Sequence, residues 1–115
     1  MMSDINFPQL VKQLADENPL IHQAARMIIL SLDEMAVDPL IDEFYAGVTD
    51  SEGVAILNIM AEIGGPDAMS TLRNVFHFEE TRVALKRAAA NGLLKNSGNL
   101  SQNELEEIAL YIAKG

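Results

Sequence analysis

His22 and His77 are the side chains best suited to metal or acid–base chemistry, and their spacing argues against both roles. A metal pair on a helix needs a second His or a carboxylate three or four residues away. His22 has Ala25 and Arg26 at those positions, and His77 has Glu80 at i+3, where a loop is expected to start. Surface or packing roles are the expectation for both. The serines, Ser3, Ser31, Ser51, Ser70, Ser97 and Ser101, fall mostly where caps or turns are expected. No Gly-x-Ser-x-Gly and no phosphate loop accompanies them, and Gly64-Gly65 lacks the following Lys-Ser or Lys-Thr. Asp33-Glu34 and Asp42-Glu43 fall at helix ends and exposed positions. Glu104, Glu106 and Glu107 open the last helix, where negative charge suits the helix dipole. The chain has no Cys, which excludes a disulfide scaffold, a thiolate metal site and a covalent thioether link made by this chain. The residues therefore predict no catalytic group, no metal and no cofactor.

Charge narrows the partners. The 115 residues include 8 Lys or Arg and 17 Asp or Glu, a net charge of −9. Non-specific nucleic-acid binding is not expected of such a chain, because phosphates are neutralised by Lys and Arg. The balance is uneven. Residues 1–80 hold 3 basic and 14 acidic residues, a net of −11, and residues 81–115 hold 5 and 3, a net of +2. An acidic body with a basic end can steer a partner or favour head-to-tail self-association. Met1 to Pro8 does not read as a secretory leader, and no apolar run approaches the roughly 20 residues of a membrane span. A cytoplasmic protein with no membrane or nucleic-acid partner is the expectation.

The elements that must position these residues are helices. Ala24-Ala25, Ile28-Ile29 and Leu32 form the stripe of a buried helix face. It recurs 31 residues later as Ala55-Ile56, Ile59-Met60 and Ile63, and 34 residues on as Ala89-Ala90, Leu93-Leu94 and Ser97. A second helix type alternates with it: Leu10-Val11 and Leu14, then Leu40-Ile41 and Phe44, then Leu72, Val75 and Phe76. Two helices per unit, repeating at about 30–35 residues, is the pattern of an α-solenoid. The punctuation keeps the same period: Asn18-Pro19, Thr49-Asp50-Ser51, Gly64-Gly65-Pro66-Asp67, Asn96 to Asn99, and Ser101 with Glu104 as a capping box. The spacing predicts one all-α domain over 1–115, with helices at 7–16, 19–33, 36–47, 51–64, 67–78, 81–96 and 101–114.

Met60-Ala61-Glu62-Ile63-Gly64-Gly65-Pro66-Asp67-Ala68-Met69 resembles the inter-repeat turn of HEAT-like repeats of the phycobilisome-lyase type. In that family an Ala-Leu-Gly helix end leads through Ile-Gly and an Asp-Pro-like turn to an Ala and an apolar residue. Here Met60-Ala61 stands for Leu-Gly, and Gly65 stands where Asp is usual. The Arg that the family often carries six residues before the Ala falls at His22, Gly53 and Arg87, so only the third copy fits. The resemblance covers about residues 20–98. It implies a right-handed superhelix of the armadillo type, with about three antiparallel helix pairs, a C-terminal capping helix, and second helices lining a concave face.

Partner binding, to another protein, is then the leading functional expectation. Gln23, Arg26, Asn58, Glu62, Arg87 and Asn91 lie between the core positions of the second helices and are the candidate contacts. Arg82, Lys86 and Arg87 form a candidate basic patch; Arg82 and Lys86 have Glu79 and Glu80 as their nearest expected ion-pair partners. Tyr45 and Phe78 lie one or two residues past the core positions Phe44 and Phe76 and are candidate aromatic anchors. The alternative that the resemblance implies is a bilin-lyase-related protein or lyase subunit, handling a linear tetrapyrrole with Glu62 as the acid and Tyr45 or Phe78 as the aromatic wall. The Ser101 helix, through Leu105, Ile108, Ala109 and Ile112, is expected to cap one end. The short N-terminal segment Ile5 to Leu14 is expected to leave part of helix 19–33 uncovered. A monomer or weak homodimer follows.

Overall fold

The computed structural model describes residues 5–114; the reading of the first residues as no leader lies in part outside them. Seven α-helices, and no strand, occur among the described residues: α1 (Phe7–Leu14), α2 (Pro19–Leu32), α3 (Val37–Ala46), α4 (Asp50–Ile63), α5 (Pro66–His77), α6 (Val83–Lys95) and α7 (Gln102–Lys114). Short 3-10 turns at Asp33–Ala36 and Ser97–Asn99 follow α2 and α6. Expected and observed helix ends differ by at most two residues. Among the described residues, no helix is long and apolar enough to cross a membrane.

The caps explain the boundaries. Asn6 and Asn18 side chains accept from the backbone N–H groups of Gln9 and Leu20, with Pro in the first turn of each helix. Thr49 and Glu52 make a reciprocal capping box at α4, as Ser101 and Glu104 do at α7. Gly64 and Gly65, at φ 73° and 90°, make the turn from α4 to α5 in the left-handed region that a side chain disfavours. Phe78, in extended backbone, ends α5. Arg82 is the residue before α6 rather than part of it.

Neighbouring helices pack as α1 on α2, α3 on α4 and α5 on α6. Helices two apart also meet: α1 with α3, α3 with α5, α2 with α4, and most extensively α4 with α6. The body is elongated, 42 × 24 × 24 Å. One apolar cluster runs through it, and its fully buried large side chains are Ile29, Leu40, Ile56, Leu57, Met60, Leu72, Leu93 and Ile108. At about 25 cal/mol per Å² of apolar surface, each contributes roughly 1.5–3 kcal/mol. Gly92 lets α6 approach closely, since a methyl there would lie 3.1 Å from Ala61 Cβ.

Two parts of the expected core are different. Ala25 and Ile29 of α2 are buried, but Ala24 and Ile28 are exposed and Leu32 is only partly covered. The reason is position: among the described residues α2 packs on α1, on α4 and on the turn that follows it, and no other element packs extensively on it. Leu94 likewise is 37% exposed. Of the expected capping residues on α7, Ile108 is buried and Leu105 partly so, whereas Ala109 and Ile112 are exposed.

Candidate functional site

Two clefts gather the residues that the sequence singles out. The first has a volume of about 570 Å³ and is lined by α2, α4 and α6. His22 and Arg26 face it from α2, Asn58 and Glu62 from α4, and Lys95 from α6, over apolar Val54, Ala55 and Ile59. Arg26 Nη2 donates to Glu62 Oε1 at 2.6 Å, so two candidate contacts engage each other across the α2–α4 junction. Both are about one-third exposed, and such a pair stabilises by less than about 1 kcal/mol. His22 Nδ1 lies 2.6 Å from the carbonyl oxygen of Leu14. A carbonyl only accepts, so Nδ1 carries the proton and His22 satisfies an orphan carbonyl at the end of α1. That is a packing role, and no metal-binding group of three or more His, Asp or Glu occurs among the described residues.

The second cleft, of about 410 Å³, is lined by Phe44, Tyr45, Asn74, Val75, Phe78, Glu80, Thr81, Arg82 and Leu85. Tyr45 and Phe78, from the ends of α3 and α5, are 61% and 60% exposed. Tyr45 stands edge-on to Phe44, with ring centroids 5.3 Å apart. Phe44 is partly buried, and Val75 and Leu85 are buried beneath. Each follows a core Phe in the sequence, and packing brings both to the lining of this cleft.

The basic residues Arg82 and Lys86 engage different partners. Arg82 pairs with Asp50 of α4, Nε to Oδ1 at 3.1 Å, and donates from Nη2 to the Val48 carbonyl at 3.0 Å. The expected pairing of Arg82 and Lys86 with Glu79 and Glu80 is therefore replaced. Arg82 lies just before α6 and reaches the start of α4, where Asp50 suits the dipole. Lys86 points its ammonium at two rings, 5.6 Å from the centroid of Phe76 and 5.4 Å from that of Tyr111. Arg87 and Asn91 are exposed on α6 and line a small hollow with Tyr111 and Ile112 of α7. Gln23 is exposed on α2, outside both clefts.

Sequence reasoning missed the residues that dock α7. Arg73 Nε donates to Glu104 Oε2 at 2.8 Å, and its Nη2 donates to the Asn99 carbonyl at 2.9 Å. The Ser101 N–H, and after it Arg73, hold the Glu104 carboxyl below the usual carboxylate range. His77 Nδ1 stands 3.5 Å from Glu107 Oε1, and Phe76 meets Tyr111 edge-to-face at 5.4 Å. Asn96 donates from Nδ2 to the carbonyls of Ala61 and Gly92, tying α6 to α4. Apart from the Ser101–Glu104 cap and the Asn96–Gly92 bond at the end of α6, each of these joins segments distant in sequence.

Compared with protein-family models, curated proteins and solved structures, the chain matches none.

Proposed function

We propose that this chain is a non-catalytic protein-interaction module, a short cytoplasmic stack of HEAT-like helix pairs that binds a partner protein through its surface. The stack reading draws support from the three-copy stripe, the Gly64-Gly65-Pro66-Asp67 turn and the contacts between helices two apart. The observation that carries the binding reading is the second cleft. Tyr45 and Phe78 stand about 60% exposed on either side of an apolar floor, and Arg82 lies on its rim. Large aromatics left in water around a desolvated pocket are what interface hot spots are made of. A partner would insert one or two apolar side chains between the rings and place a polar group near Arg82.

Nothing favours tetrapyrrole handling to the same degree. Glu62 lines the first cleft and pairs with Arg26, while Tyr45 and Phe78 line the second, so acid and aromatic wall do not share a cavity.

Panning a displayed random-peptide library against the purified chain tests the proposal. Recovered peptides should share apolar anchors and bind Tyr45→Ala or Phe78→Ala at least about tenfold more weakly, the loss typical of a hot-spot residue. Peptides that bind both variants as tightly as the parent would overturn the assignment to this cleft. A bilin added to the protein with a shifted absorption band would revive the alternative.

A further inference from the structure

We infer that the outer face of α2 is a docking surface distinct from the aromatic cleft, and that its partner is a basic amphipathic helix laid along it. Leu20, Ala24, Met27, Ile28, Ser31 and Met35 follow one another at i, i+4, i+7, i+8, i+11 and i+15, and all six are exposed. Leu20, Met27 and Met35 are 81%, 62% and 63% exposed. Leu20 to Ser31 at this spacing share one face of α2, and Met35 lies beyond its end in the Asp33–Ala36 turn. Gln23, three residues after Leu20 and four before Met27, forms its polar edge. Ser31 does not interrupt the row, because its hydroxyl is spent on the Ile28 carbonyl at 2.6 Å. The row is therefore apolar along α2.

The polar groups of α2 are turned to other tasks. Between Asn18 and Leu32 the only charged residue is Arg26, which is held by Glu62 of α4. His22 is held by the Leu14 carbonyl. Both ends of α2 are instead flanked by carboxylates: Asp16 and Glu17 before it, Asp33 and Glu34 in the turn after it, all exposed. At 1.5 Å per residue the 14 residues of α2 between them span about 21 Å.

That arrangement selects the partner. Helix-in-groove recognition reads apolar anchors at i, i+3 or i+4 and i+7. A second copy of α2 would supply them. However, laid antiparallel it sets Asp16 and Glu17 against Asp33 and Glu34, and laid parallel it sets each acidic end against itself. Like charges juxtaposed in this way oppose pairing. An anionic membrane is disfavoured for the same reason. A helix of about four turns with one apolar stripe and Lys or Arg at both ends satisfies the row and both flanks at once.

Three synthetic 18-residue helical peptides test this against the full chain by fluorescence anisotropy: one with a Leu stripe and Lys at both ends, one with Glu in place of each Lys, and one with Ser in place of each Leu. The Lys peptide should bind at least tenfold more tightly than either other peptide. Its amide-shift footprint should fall on α2, and its affinity should drop at least tenfold with Met27→Gln/Ile28→Gln. Glu17→Gln/Glu34→Gln should weaken binding and flatten its salt dependence, while Tyr45→Ala/Phe78→Ala should leave it unchanged. These residues are exposed, and unchanged helical circular dichroism confirms that each variant is folded. Equal binding of the Glu peptide, equal binding by Met27→Gln/Ile28→Gln, or a footprint elsewhere overturns the inference. So does a dimer of the chain alone that Met27→Gln/Ile28→Gln dissociates, since the face then belongs to a second copy. Loss of the aromatic cleft's ligands without loss of the Lys peptide would break only the reading of that cleft.

Discussion

Helices α2 and α4 are each 14 residues long and carry the same apolar stripe, yet α4 buries Gly53, Ile56, Leu57, Ile59, Met60 and Ala61 while α2 buries only Ala25 and Ile29. The difference lies in their neighbours. α4 contacts α1, α2, α3, α5 and α6; among the described helices α2 packs extensively only on α1 and α4. The two helices share a sequence pattern, so the one with fewer neighbours displays what the other hides. The second apolar face of α2 is thus a consequence of the pattern, and it becomes a surface on which selection for a partner can act.

The largest effect that would break this contrast comes from equivalent truncations on the two helices. Ile56→Ala, in a fully buried site, should cost about 3 kcal/mol, within the range for Ile truncation in packed cores. Ile28→Ala, at 45% exposure, should cost less than about 1 kcal/mol. Urea melts of the two variants measure both. Similar losses would mean that α2 is covered in solution.

Helices, their caps and their period could all be read from the residues because each rests on neighbours a few positions away. Asn18-Pro19, Thr49 with Glu52, and Ser101 with Glu104 are local hydrogen-bonding patterns that any stretch of chain must satisfy. Burial of Ile28 could not be read in this way, since the same stripe serves a helix covered on one side or two. Nor could the Arg82–Asp50 pair, in which residues 32 apart meet because α6 starts beside the start of α4. Lys86 between Phe76 and Tyr111 needs three helices in place. Tyr45 and Phe78 stand between these cases. Each was marked by its offset from a core Phe, but their meeting in one cleft follows from packing.

On the enclosed side, Gly92 offers a sharper measure of how closely α6 lies on α4. A methyl group at this position would sit 3.1 Å from Ala61 Cβ and 3.3 Å from a Leu72 methyl. Replacing Gly by Ala in a helix interior gains about 1 kcal/mol of propensity, and overpacking a tight contact costs about 1–3 kcal/mol. Gly92→Ala should come out destabilised by about 1 kcal/mol in the same urea assay. A net stabilisation would show that α4 and α6 have slack between them.

The C-terminal end gives a smaller, pH-dependent contrast with α2, because α7 is latched by polar groups. Glu104 titrates lower when folded than when unfolded, held by the Ser101 N–H and Arg73. Its contribution is therefore complete above its unfolded value, near 4.3 for a free Glu, and fades as the pH falls through the lower folded value. Glu104→Gln should melt below the parent at neutral pH, and the gap should narrow as the pH falls below the unfolded value. A gap that persists in acid would assign the latch to packing by Ile108 and Tyr111 alone.

The smallest expected effect concerns the one ion pair that joins the two compared helices. Arg26 and Glu62 meet at 2.6 Å, but each keeps about a third of its side chain in water. Solvent screens the attraction, and ordering two long side chains opposes it, so the coupling should be about 0.5 kcal/mol. A double-mutant cycle with Arg26→Ala and Glu62→Ala isolates that quantity. A coupling above about 1 kcal/mol, unaffected by salt, would make the pair a clamp holding α2 against α4. In that case α2 would be fixed to the body as firmly as α4 is, and only its uncovered face would distinguish them.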